Sequence, residues 1–470
     1  MQIQELIEQA VAASTADGCI VVGDESTQAN LRWAGNNLTT NGQMHSRSLT
    51  VVSTFDGAEG TSAGVVTRAV STADEVIDLV RASEQAGRGA GPSDDAAPIV
   101  ANYEHGDDWS AEPARTDVDV LADFAAGLGA EFGRWRTNDR LLFGYAEHTM
   151  SAQFVATSTG LRRRFDQPNG TVWVNGKSAD FTGSGFVGQH TNDFTDVDVA
   201  AIGAELDRRL DWAAKRIDLP AGRYETIMPP STVADLMIYA YWTASARDAE
   251  EGRNVYAARS DSAGSDGSGG TRIGEALSPH PLHLYSDPGY QGLQCAPFEV
   301  ITDTLGGLRS VFDNGAPVPA GDWISDGRLR DLIRTRAWAA KTGAEPRPFA
   351  GNLILENSTD GGPTVQEMVA ATERGLLLTC LWYIREVDPQ TLLLTGLTRD
   401  GVYLVENGEV VGAVNNFRFN ESPVDLLSRA TEVGRTERAL SREWGEYLSR
   451  TAMPALRIPD FNMSTVSQAS

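Results

Sequence analysis

Six histidines, three cysteines and a surplus of carboxylates are the groups in this chain that could hold a metal or act as nucleophile or base. The histidines are His45, His105, His148, His190, His280 and His283. Only His280 and His283 are close in sequence. Pro281 between them forbids a regular helix interior, and on a strand an offset of three sends two rings to opposite faces. Surface or core roles are therefore expected for all six. Cys19, Cys295 and Cys380 are too far apart for a zinc-binding spacing, and Cys380 lies in an apolar run that reads as core. Asp248, Glu250, Glu251, Asp261 and Asp266 could offer oxygen to a hard cation, but their spacing matches no calcium loop, and a solvated helix end and loop explains them. The sequence has no phosphate loop with its lysine. Gly183–Gly188 fails as a dinucleotide fingerprint, because no helix opens on it.

The elements that would position such groups follow from periodicity. Ile3, Leu6, Ile7, Ala10 and Val11 give residues 1–14 the stripe of an amphipathic helix, with neither the basic start nor the apolar centre of a signal peptide. Strands are expected at Cys19–Val22, Ala29–Trp33, Ser48–Ser53 and Gly64–Ala69, with polar turns between them. A helix follows at about Thr72–Gln85, and Gly87–Pro92 reads as a turn-rich connector. Helices over Asp117–Phe132 and Val197–Arg216 bracket a run of antiparallel strands from Leu141 to Gly188. In the second half, Tyr224–Met228 reads as a strand, Val233–Glu251 as a helix, and Gly264–Gly270 as a low-complexity loop. A short helix capped by Thr364 delivers the chain through Gly375 into a long strand, Leu376–Val387. Val402–Val405 and Val410–Val414 should pair across Asn407-Gly408, since a type I′ turn needs positive φ at both central residues. The fold class is α+β. An N-terminal α/β domain with a mixed or antiparallel sheet plus helices is expected over residues 1–220, and a C-terminal, mainly antiparallel β domain with a few helices over 221–470.

Composition narrows the partners. Asp and Glu number 64 against 39 Lys and Arg, a net charge of −25, so phosphate backbones and anionic lipid are repelled and nucleic acid is not expected as a ligand. Ten Trp, 15 Phe and 11 Tyr supply ample core. Scarce cysteine points to a reducing, cytoplasmic setting, and no apolar run is long enough for a spanning helix.

Several segments resemble the TldD/PmbA family (TldD/TldE). They are Glu373-Arg374-Gly375-Leu376, Trp382–Pro389, Leu397–Gly401, Val405–Glu409, Gly222-Arg223-Tyr224-Glu225, Leu277–Leu282 with Ser286–Gly289, and the ending Pro459–Ser464. The resemblance implies a metallopeptidase family, whose TldD branch carries His-Glu-x-x-x-His on the helix after the Arg-Tyr-Glu strand and a later zinc cysteine. Two imidazoles one turn apart converge on one ion while the glutamate activates bound water. Here that helix reads Ile238–Gly252 without a histidine, and no cysteine follows Arg435. These departures are similar to the PmbA/TldE branch, so neither catalytic nor metal-binding residues are expected in this chain, and zinc is expected in a TldD-type partner instead.

On this reading the chain is the non-catalytic half of a heterodimeric protease acting on small or unfolded peptides. The alternatives are a self-sufficient peptidase with an unrecognised metal site, or a homodimeric binding or scaffold protein. The family has also been called a modulator of DNA gyrase, which need not involve DNA contact. Tyr239, Tyr241, Trp242, Ser245 and Ala246 mark the degenerate metal-site helix, either filling the vacated pocket, lining a shared chamber or serving as helix core. Glu373, Arg374, Gly375, Trp382, Tyr383, Arg385, Glu386 and Asp388 are candidates for the peptide chamber or the subunit interface. An extended peptide would add there as a further strand, unless Arg385, Glu386 and Asp388 pair among themselves.

Overall fold

The computed structural model describes residues 1–101, 109–259, 270–357 and 361–468. His105, Asp261, Asp266 and the glycine-rich stretch at 264–269 lie outside them. Helix α1 (Ile3–Ala13) leads into three long strands, β1 (Gly18–Ala34), β2 (Asn37–Gly57) and β3 (Gly60–Ala69), and then into α2 (Ala73–Gly89). A 3-10 turn at Val118–Leu121 precedes α3 (Ala122–Thr137). Strands β4 (Arg140–Thr157), β5 (Arg162–Ser178) and β6 (Ser184–Thr191) and helix α4 (Val199–Ala213) complete this half. The six strands form one antiparallel sheet in the order β3-β2-β1-β4-β5-β6.

Strand β1 runs straight through the polar stretch Asp24–Gln28, where the sequence suggests a turn. Its first residues, Cys19–Val22, are buried on both faces, one against α1 and α2 and the other against Phe298, Ile301, Val311 and Phe312 from the second half. Beyond them only one face is covered, so the pattern turns to alternation, with Ala29, Leu31 and Trp33 packed on α3. Glu25 falls on that covered face. Burial alone would raise its carboxyl, but Arg47 at 2.7 Å and His45 at 3.2 Å hold it below the ordinary value, and Arg115 adds a third contact at 3.2 Å. The true turn is Gly35-Asn36, both at positive φ. Helix α2 extends through Gly87–Gly89, which the sequence assigns to a connector. Gly87 is required there, because an added Cβ would meet Ser53 O and Gly64 N at 2.9 Å.

The second half contributes strands β7 (Arg216–Ile217) and β8 (Gly222–Met228), helices α5 (Pro230–Trp242) and α6 (Ala246–Glu250), and strands β9 (Leu282–Ser286), β10 (Gly321–Ser325) and β11 (Arg328–Leu329). Helix α7 (Arg336–Thr342), strand β12 (Leu353–Asn357) and helix α8 (Val365–Ala370) follow. Then come β13 (Arg374–Leu378), β14 (Trp382–Asp388), β15 (Leu393–Leu397), β16 (Val402–Glu406), β17 (Glu409–Val414) and β18 (Phe417–Glu421), closed by α9 (Pro423–Arg429), β19 (Glu432–Ala439) and β20 (Thr451–Val466). They make a 14-stranded sheet with the path β11-β10-β9-β12-β20-β8-β13-β16-β17-β7 and a side branch through β14, β15 and β18 to β20. Most pairs are antiparallel, whereas β12/β20, β13/β8 and β17/β7 are parallel. The architecture is α+β as expected.

Two further expectations need correction. The helix foreseen over Val233–Glu251 is two helices, because the chain breaks at Thr243–Ser245. Asn254 Nδ2 donates to Thr243 O at 2.8 Å and to Ser245 O at 3.0 Å, satisfying carbonyls that the break leaves free, and Ser245 Oγ caps α6. The single strand Leu376–Val387 is likewise two. Strand β13 lies mid-sheet between β8 and β16, but Thr379 N turns away to Gly401 O at 2.7 Å, and β14 leaves to pair with β15. The hairpin across Asn407-Gly408 forms as read, with φ of 51° and 81°.

Candidate functional site

Helix α5 begins with Pro230 at its first turn and is apolar on nearly every side, so it lies in the core of the second half. Its one charged residue, Asp235, is fully buried. The Asp235 carboxylate accepts from Ser441 Oγ at 2.5 Å and from Glu443 N at 2.8 Å, and burial pushes its pKa up to about 7. It thereby fixes the segment between β19 and β20. That segment carries Trp444 against Tyr239 and Trp242 of α5, with ring centroids 5.6 and 5.2 Å apart. Tyr447, three quarters exposed, stands 6.1 Å from Trp242. Four aromatic rings thus form one partly open surface.

The same segment holds the start of β14. Glu443 accepts from Tyr383 N at 3.1 Å and Ile384 N at 3.2 Å, and Arg385 Nη1 reaches it at 3.4 Å. Arg442 lies 3.8 Å from the Trp382 ring centroid and 4.3 Å from that of Phe186 in β6, so one guanidinium joins both sheets. Burial raises the Tyr239 phenol, and the nearby Glu386 carboxylate raises it further. Tyr239, Trp242, Trp382, Tyr383, Arg385 and Glu386 therefore meet in one region. Tyr383 and Val387 are more than half exposed, and Tyr383 sits at φ 53°. Among the described residues strand β14 pairs with β15 alone; on its other side Glu443 holds the Tyr383 and Ile384 N–H groups and the Tyr239 hydroxyl meets the Glu386 backbone.

The remaining sequence candidates lie elsewhere. Tyr241 is core: it stacks on Phe349 at 4.5 Å, and its hydroxyl accepts from Ala350 N at 2.7 Å and donates to Ala350 O at 3.2 Å. Ser245 and Ala246 open α6 beside Ile333, fully buried. Asp388 caps a turn by accepting from Gln390 N and Thr391 Oγ1. Glu373 and Arg374 line an open cleft of about 520 Å³ with Glu225, Ala371, Glu432 and Arg457. At that cleft Arg457 donates to Glu225, Glu432, Thr372 Oγ1 and Met368 O within 2.6–2.9 Å. Gly375 is needed for packing, since an added Cβ would meet Glu225 O at 2.9 Å. The carbonyls of Glu373 and Thr372 accept from Asn407 N and Gly408 N, tying this segment to the hairpin.

Sequence reasoning passed over Asp235, Ser441, Arg442, Glu443, Trp444 and Tyr447. A lone carboxylate inside an apolar helix was the available signal, because such a group must find donors somewhere. The donor set on α5 does not fit a metal: the helix has no His or Cys, and its carboxylate is engaged by Ser441 and Glu443. Among the described residues no group of three or more His, Cys, Asp and Glu is placed to hold an ion. The three cysteines are buried, and burial pushes the Cys380 thiol up to about 12, far from a nucleophile's range. What the arrangement offers is binding: open rings, a strand edge and the Arg385–Glu443 pair. Among the described residues no helix is long and apolar enough to cross a membrane.

Residues 221–465 match the model of the PmbA/TldA metallopeptidase C-terminal domain. No curated protein matches the chain by sequence. Among solved structures, TldE from Thermococcus kodakarensis superimposes with a TM-score of 0.76 at 15% identity, covering 98% of this chain and 99% of that one. A protein described as a modulator of a DNA gyrase from Thermotoga maritima gives 0.73 at 16% identity, covering 98% and 100%. Another so described, from Bacteroides thetaiotaomicron, gives 0.74 at 12%, covering 98% of each chain. At such identities the superpositions speak for the fold, and the matched C-terminal residues make this chain a member of the TldD/PmbA family.

Proposed function

We propose that this chain is a non-catalytic, cytoplasmic member of the PmbA/TldE branch, built of two domains dividing near residue 220. It works beside a zinc-bearing relative and supplies part of the surface that receives small or unfolded peptides. The observation that carries this reading is the content of α5. Where the zinc branch has paired imidazoles, this helix presents Tyr239 and Trp242 to a partly open aromatic surface and commits Tyr241 to the core. An extended peptide laid along β14 would gain main-chain hydrogen bonds without regard to its sequence, and the rings beside it would bury its apolar side chains.

Purified alone, the chain is expected to carry little zinc and to leave unfolded peptides intact. With a His-Glu-x-x-x-His family member from the same genome it should co-purify and show cleavage. Stoichiometric zinc together with cleavage by the isolated chain would overturn the reading.

A further inference from the structure

Where the two sheets meet, a cleft of about 430 Å³ gathers more hydrogen-bond donors than the chain satisfies. It takes Lys177 from β5, Ser184 from β6, Arg216 from β7, Arg399 from the turn before β16, Tyr403 from β16 and Asn415 from the end of β17. Four of these carry a buried polar atom without a hydrogen-bond partner: Ser184 Oγ, Arg399 Nε, Tyr403 Oη and Asn415 Nδ2. The Asn415 oxygen accepts from Leu219 N at 2.7 Å, so the amide is oriented and its nitrogen is the atom left over. All four atoms can donate, and the two nitrogens can do nothing else. Folded chains leave few such groups unpaired, because each one costs stability. Among the described residues the Lys177 ammonium makes no ion pair; it lies 6.0 Å from the ring of Phe181, which also lines the cleft and is 60% exposed. Arg216 donates to Thr182 O, and Arg399 has Asp400 at 3.7 Å. Three cations thus line the cleft with only two carboxylates, Asp400 and the exposed Asp218, in a chain whose net charge is −25.

We infer that this cleft binds a small organic anion, whose carboxylate or phosphate oxygens supply the acceptors that Lys177, Arg399 and the Asn415 amide lack. Hydrogen bonds from a cation to such an oxygen are the strong ones, and two lone pairs on each oxygen can serve several donors at once. The volume falls in the range of small-molecule sites. Val402, Val414 and the Phe181 ring give the same cleft apolar wall for a short carbon skeleton. Polyanions are excluded by the charge of the whole chain, which a compact ligand with one or a few charges escapes at close range. Because the donors come from both sheets, the bound anion also holds the two halves against each other. The cleft shares no lining residue with the surface around Trp444, so the site stands or falls independently of the peptide-handling role.

Titration calorimetry of the full chain with malonate, citrate and inorganic phosphate, at ionic strength matched with chloride, should give saturable binding at one site for at least one of them. The same anion should raise the melting temperature along the same saturation curve. Whether the carboxylates or phosphate bind more tightly identifies the head group. Lys177→Gln and Arg399→Gln should each weaken binding at least about tenfold. Lys215→Gln removes an exposed cation that does not line the cleft, and should leave the affinity within about twofold. Lys177 is partly exposed and unpaired, so its variant should fold even where Arg399→Gln does not. Absence of saturable binding for all three anions would overturn the inference. So would binding that Lys177→Gln leaves unchanged, or that Lys215→Gln weakens equally.

Discussion

Around Arg457 a guanidinium donates to two glutamates, a threonine and a carbonyl, whereas around Trp444 four rings meet with Tyr447 left three quarters exposed. Both corners belong to the C-terminal half, and both include residues that drew notice in the sequence. At the first, Glu373-Arg374-Gly375 and the Asn407-Gly408 hairpin hold each other through backbone bonds, so that signature holds the strand to its neighbour. At the second, polar groups are spent on fixing a segment whose rings remain available. Residues that mark a family can therefore be occupied with the fold, while the loop that gathers the proposed binding surface, Ser441–Tyr447, carries no recognisable motif.

The sharpest way to break this contrast is Arg457→Met. Its side chain is 11% exposed, and the two glutamates about a third exposed. Leaving them without their partner should cost about 2–3 kcal/mol, less than a fully buried pair, read by urea unfolding. A loss under about 0.5 kcal/mol would mean that this corner does not hold the fold.

Next comes Asp235→Ala, expected to cost about 2 kcal/mol because Ser441 and Glu443 N lose their acceptor. Asp235→Asn should keep most of that and change the pH response instead. With its folded value raised to about 7 from an ordinary value of about 4, the native state holds a proton that the unfolded chain releases. That contribution is complete below about pH 4 and is lost as pH rises through about 7. Glu299, raised by burial to about 8, acts in the same sense. The melting temperature should thus fall between pH 4 and 8, and Asp235→Asn should flatten the decline.

Tyr241→Phe should cost about 1 kcal/mol through its two lost hydrogen bonds with Ala350, without affecting peptide binding. Smallest in stability but most telling is Tyr447→Ala: within about 0.5 kcal/mol of the parent, yet binding unfolded peptide several-fold more weakly. Unchanged binding would remove Tyr447 from the proposed surface.

Signals carried by neighbouring residues were legible in the sequence. The stripe of α1, the Thr364 cap of α8 and the Asn407-Gly408 turn each need only a few adjacent side chains, and each stands where it was read. In sequence Asp24–Gln28 looks like a turn that breaks strand β1, and it is His45, Arg47 and Arg115, all distant in sequence, that stabilise a buried Glu25 there. The break in α5 depends on Asn254, and the departure of β14 on Gly401, again from afar. For the candidate surface, Tyr239, Trp242 and the Trp382–Glu386 stretch were found from the sequence. The loop that unites them was not, since Ser441–Tyr447 carries neither periodicity nor motif and is held from a helix some 200 residues earlier.

Arg442 ties the chain together in a way that reaches beyond packing. With its flat cation set between Trp382 and Phe186, it makes the posture of the Trp444 loop depend on how β6 is seated. A fragment beginning after α4 would keep the rings but lose the roof over this cation, and water would enter where it now stacks. The proposed peptide surface is thus a property of the whole polypeptide, and the isolated C-terminal half should present it in a blunted form even if that half still folds.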